Sequence, residues 1–130
     1  MEIANRKEAF REELSLIRGQ EAKKFFFKLL EKYPDYFFND CPASSTGKYH
    51  PDFVQGPDGT LIHTRMVARL TAELCRMYDL SEEETDAFVV AALAHDGWKQ
   101  GVVKTAHTVK EHPELAAKAI FACYLENPGL

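Results

Sequence analysis

Outside residues 34–60 the apolar positions of this chain recur at helical spacing. Phe10, Leu14 and Ile17 mark a first helix over 3–18, with charges between them and Gly19 as a stop. Phe26, Leu29, Leu30 and Tyr33 form the apolar face of a second helix over 20–33, ended by Pro34. The triple Phe25-Phe26-Phe27 exceeds what one stripe needs and reads as core or helix–helix contact. His63, Val67, Leu70, Leu74 and Met77 fall at steps of four, three, four and three, so a helix over 61–78 is expected to turn that face to the core. Ser81 followed by Glu84 has the spacing of a capping box. It opens a helix that runs through the apolar 87–94 to His95. That helix is apolar nearly all round and is expected at the centre of the molecule. Pro113 starts a last helix, about 113–125.

Residues 34–60 differ in kind. Pro34, Pro42, Pro51 and Pro57, with Gly47, Gly56 and Gly59, predict a long ordered loop holding one short helical turn. Pro57-Asp58-Gly59 is a turn signal. No strand, repeat or low-complexity tract is visible. The expected architecture is all-α: a bundle of about five helices with a long ordered loop between the second and third. The 130 residues suit one domain, with a helical pair at 1–33, the loop at 34–60 and the remaining helices at 61–130.

Composition narrows the class. The chain is 45% hydrophobic and 28% charged, ordinary for a globular protein, and its net charge of −4 argues against coating nucleic acid. Cys41, Cys75 and Cys123 are odd in number and form no CxxC, so reduced thiols are expected. MEIANRKEAFREEL lacks the apolar core of a signal peptide, and no run reaches a membrane span. The cytoplasm is the expected compartment.

The candidate chemistry lies in the histidines: His50, His63, His95, His107 and His112. Helices at 61–78 and 81–95, joined by so short a link, run antiparallel. The start of one then lies beside the end of the other, where His63, His95 and Asp96 converge. Successive helical residues project about 100° apart, so His95 and Asp96 share an ion only where the helix ends, which Gly97 permits. A mixed imidazole and carboxylate set suits Mn, Fe, Zn, Co or Ni, with Mg also open.

His63, then His95-Asp96 closing an apolar helix, then Lys99, resembles the HD-domain metal-dependent phosphohydrolase superfamily. PASSTGKYHPDF followed by GTLIHT is similar to a bacterial and phage subgroup with a Ser-Lys-Tyr-His loop before the first ligand histidine, and EHPELAAKAI to its His-Pro element. The resemblance covers roughly 42–122. It implies metal ligands at His63, His95 and Asp96, and His112 as ligand to a second ion or a residue at the site's edge. It implies that Lys99 holds a substrate phosphate or orients Asp96, and that a divalent ion activates water against a nucleotide, another phosphoester or a nucleic-acid end. The family's closing aspartate is missing, since no aspartate follows Asp96. Three readings remain: a shortened member, substitution by His107 or His112, or a binding module without turnover.

STGKYH fails as a phosphate loop, because Pro42 stands where a glycine is needed and Tyr49 where Ser or Thr is needed. Ser44, Ser45, Lys48, Tyr49 and His50 are instead expected to contact substrate as loop donors, with Lys48 supplying charge. His107 reads as a solvated connector residue, and Trp98 as packing or lid. A homodimer is expected as one way to cover the exposed end of the last helix.

Overall fold

The computed structural model describes residues 1–43 and 55–129. Among these there are seven helices and no strand: α1 Ile3–Ala9, α2 Arg11–Leu14, α3 Gln20–Leu30, α4 Tyr36–Asn39, α5 Gly59–Met77, α6 Glu82–Ala94 and α7 His112–Glu126. The all-α expectation holds, and the count of about five is corrected in two places. The first expected helix breaks at Phe10 into α1 and α2, because the Phe10 ring turns into an aromatic core rather than along a stripe. The second addition is α4, the short turn expected within 34–60. Gly19 proves to be the N-cap of α3 rather than the stop of the first helix.

The core is aromatic. Phe10, Phe26, Tyr33, Phe37, Phe38 and Trp98 form one buried cluster, with Tyr33 at its hub, 5.0 Å from Trp98 and 5.2 Å from Phe37 between ring centroids. Of the Phe25–Phe27 triple, Phe26 is wholly buried and its neighbours half-buried. Phe27 lies beneath the Lys7 ammonium at 4.1 Å.

Two buried charged groups tie helix ends together. Arg6 donates to the carbonyls of Leu30 (2.8 Å) and Tyr33 (2.6 Å), satisfying the last turn of α3. Asp86 of α6 accepts from the backbone N–H groups of Arg18 (2.8 Å) and Gly19 (2.9 Å), just where α3 begins. A third such group, Glu13 of α2, is fully buried and receives Arg65 (2.8 Å) and Arg69 (2.7 Å) of α5.

The α5–α6 hairpin positions the site, and its link is capped at both sides. After α5, Asp79 adopts φ 53°, and Leu80 N–H reaches back to the Cys75 carbonyl at 3.0 Å. With Asp79 N–H on the Arg76 carbonyl, this is a Schellman motif. Ser81 and Glu84 then form the expected capping box, with both bonds at 3.1 Å. Two caps within six residues reverse the chain sharply, so the start of α5 lies beside the end of α6.

The face of α5 differs from expectation. Its buried positions are Gly59, Thr60, Thr64, Ala68 and Cys75, all small, while Leu70, Leu74 and Met77 are exposed and Val67 is half-buried. Small side chains let the α5 and α6 backbones approach closely, and α5–α6 is the most extensive helix pair. The helix α6 is buried along Asp86, Val89, Val90, Ala92, Leu93 and Ala94, but it exposes Phe88. No helix among the described residues is long and apolar enough to cross a membrane.

Candidate metal centre

The helix α6 stops at Ala94, one residue before the first candidate ligand. Beyond it the backbone runs in tight turns, with Gly97 N–H on the Ala94 carbonyl, Lys99 on Asp96 and Gly101 on Trp98. His95 itself keeps helical dihedrals, φ −57° and ψ −33°, and its Nε2 still comes within 3.2 Å of Asp96 Oδ2. A Cβ on Gly97 would come within 3.2 Å of both the Ala94 carbonyl and the Tyr33 ring. Any larger residue there would have to push the Tyr33 ring or the turn back by a few tenths of an ångström.

Two tyrosines hold this turn from behind. Tyr33 donates its hydroxyl to the Leu93 carbonyl at 2.8 Å. Tyr36 of α4 donates to the Gly101 carbonyl (2.6 Å) and accepts from Gln100 N–H (2.9 Å). Burial pushes the Tyr36 phenol up to about 12, so it stays protonated as a donor. Sequence reasoning gave neither tyrosine this role. Their partners lie sixty residues or more away, and no local pattern announces such a pairing.

His63 from α5, His95 and Asp96 present ligand atoms that all lie within 4.8 Å of one another. Asp96 Oδ2 is 3.6 Å from His63 Nε2 and 3.2 Å from His95 Nε2. Two ligand atoms that share an ion at about 2.1 Å sit roughly 3–3.5 Å apart; the His95–Asp96 spacing lies in that range and the His63–Asp96 spacing just beyond it. On the opposite oxygen, Asp96 Oδ1 is 3.2 Å from His112 Nε2. Lys99 Nζ lies 3.5 Å from Oδ2 and donates to the Ala43 carbonyl. The carboxylate is almost fully buried; His63, His95 and His112 are partly open to solvent.

The tautomers follow from the second ring nitrogens. His95 Nδ1 faces the Ala92 carbonyl at 2.5 Å, and His112 Nδ1 faces the Val109 carbonyl at 2.8 Å. A carbonyl only accepts, so each Nδ1 carries the hydrogen, and each Nε2 turns toward Asp96 either a second proton or, in the neutral ring, a lone pair. Lone pair against carboxylate is repulsive until a proton or a metal ion lies between them. The pKa directions agree. Burial works against the Asp96 carboxylate, yet His95, Lys99 and His112 outweigh it and hold Asp96 well below the usual carboxylate range. Burial likewise works against the His95 cation, but its bond to Asp96 raises the imidazole above its ordinary value.

Of the residues expected from sequence, His63, His95, Asp96, Lys99 and His112 come together. His107 is exposed, as expected of a connector residue. Trp98 is buried against Tyr33 and is a packing residue. Ser44, Ser45, Lys48, Tyr49 and His50 lie outside the described residues. The stretch just before them is fastened to the site. Cys41 bonds Pro57 and Thr60 through the backbone, and Thr60 Oγ1 donates to the Pro42 carbonyl at 2.8 Å. No known protein family, curated protein or solved structure matches the chain.

Proposed function

We propose that this chain is a metal-dependent phosphohydrolase acting on a nucleotide or another phosphoester, on an HD-domain-like helical fold. The observation that carries the reading is the convergence of the Nε2 atoms of His63, His95 and His112 on one buried carboxylate, Asp96. A divalent ion among Mn, Fe, Zn, Ni, Co and Mg would be held by His63, His95 and Asp96, with His112 on the other carboxylate oxygen. Such an ion supplies Lewis acidity toward water and toward a phosphoryl oxygen.

The chain's own groups do the rest. Ala92 and Val109 fix the tautomers of His95 and His112. Lys99, with its ammonium held between Ala43 and Asp96, orients that carboxylate. One carboxylate against Lys99 and a divalent ion leaves an excess of positive charge, which favours an anionic substrate. The segment carrying Ser44, Ser45, Lys48, Tyr49 and His50 starts at Ala43, on the edge of the site, and would supply phosphate contacts there.

A second reading, a metal- and nucleotide-binding module without turnover, is favoured by the group's holding a single carboxylate among the described residues. Elemental analysis of the purified protein beside Asp96→Ala tests the metal first. One or two ions per chain in the wild type, lost in the variant, are expected. Failure to retain any of the six metals after reconstitution would sink both readings. Hydrolysis of phosphomonoesters and phosphodiesters by the loaded protein, abolished by Asp96→Ala, selects the enzyme. Metal-dependent nucleotide binding without hydrolysis selects the module.

A further inference from the structure

The large side chains of α5 that fail to enter the core form a continuous strip. Met66, Leu70, Leu74, Met77 and Tyr78 follow one another along the helix, and Phe88 of α6 extends the strip sideways. Leu70 is 61% exposed and Met77 72% exposed. The charged neighbours are already engaged, Glu73 by Arg76 and Arg69 by Glu13. The strip therefore offers nothing to select an acidic or a basic partner.

Its register is that of a surface that fits itself. Leu70 and Leu74 lie two residues either side of position 72; Met66 and Tyr78 lie six residues either side; Val67 and Met77 lie five either side. An antiparallel copy of α5 crossing level with position 72 brings Leu70 onto Leu74, Val67 onto Met77, and Met66 onto Tyr78. Every contact then recurs by the two-fold, as an isologous interface requires. Beside Tyr78, between α5 and α6, a hollow lined by Cys75, Leu80 and Phe88 opens on the same side of the molecule. The area also suffices. Taking about 200 Å² for a large side chain, the exposed parts of the six amount to roughly 700 Å² per copy, near the ~800 Å² each partner gives a stable interface.

We infer that this chain forms a two-fold homodimer through antiparallel pairing of α5, centred level with position 72. The inference is independent of the metal site. It also differs from a dimer that covers the end of the last helix, since the contact lies on α5.

Sedimentation equilibrium of the full chain under reducing conditions, up to about 100 µM, tests it. A dimer is expected for the wild type. Leu70→Glu sets a carboxylate against Leu74 twice per dimer and is expected to weaken association at least about tenfold. Leu74→Lys is expected to do the same. An equimolar mixture of the two variants is expected to recover a heterodimer, because one Glu–Lys pair forms and one Leu70–Leu74 contact is restored. Circular dichroism checks that helix content is kept, and Met77→Glu replaces Leu70→Glu should that variant lose it. A wild type that stays monomeric, a dimer unmoved by these charges, or a mixture that fails to associate would each overturn the inference.

Discussion

The chemistry of single residues here is set by what stands behind them. His63, His95 and Asp96 were legible in the sequence because metal-ligand types recurred at the ends of two helices joined by a short link, whereas Lys99 was named only through the family resemblance. Asp86 was not, because an aspartate near the start of an apolar helix reads as ordinary helix-terminal charge. Its two bonds go to backbone groups 67 and 68 residues away. Asp86→Ala is expected to cost about 1–3 kcal/mol, since it strands two donors at the start of α3; urea denaturation measures it. The tautomers of His95 and His112 give a second expectation. A metal ion and a proton compete for His95 Nε2, so metal affinity should rise as the pH is taken from mildly acidic to mildly alkaline, with proton release seen by calorimetry in buffers of different ionisation enthalpy. Without metal the sign reverses. The folded-state value of His95 is raised, so its contribution to stability is full below the unfolded value and is lost as pH rises through the folded one. Thermal melts of metal-free protein should therefore weaken over that interval, and those of loaded protein should not.

At the scale of elements, boundaries were easier to read than faces. The capping box at Ser81 and the proline of α7 fell where expected, because caps are local chemistry. The buried face of α5 was misread, because bulk was taken as the mark of the core. Close packing against α6 selects Thr64, Ala68 and Cys75 instead, and such residues give a weak periodic signal. Ala68→Leu is accordingly expected to destabilise by about 1–3 kcal/mol through overpacking. A chemical melt beside Leu70→Ala checks the assignment, because in the unassociated chain the latter should fall within about 0.5 kcal/mol of wild type. The reverse order would return the large residues to the core.

For the molecule as a whole, the α5 pairing and the metal centre divide one helix between them. His63 lies nine residues from position 72, so at 1.5 Å per residue the two-fold sets the two His63 positions about 27 Å apart along α5. Each site then faces solvent at its own end, and a charge change at Leu70 should leave metal content untouched. The substrate contacts expected from sequence at Ser44, Ser45, Lys48, Tyr49 and His50 lie outside the described residues, which resume at Gln55.

The aromatic hub has an optical consequence. Trp98 is the only tryptophan of the chain, is buried, and lies two residues from Asp96 on the turn that Tyr33 and Tyr36 grip. Its fluorescence therefore comes from a single place, two residues along the chain from Asp96 and packed on Tyr33. An ion entering the proposed site would be readable in a cuvette from this one ring, without a label.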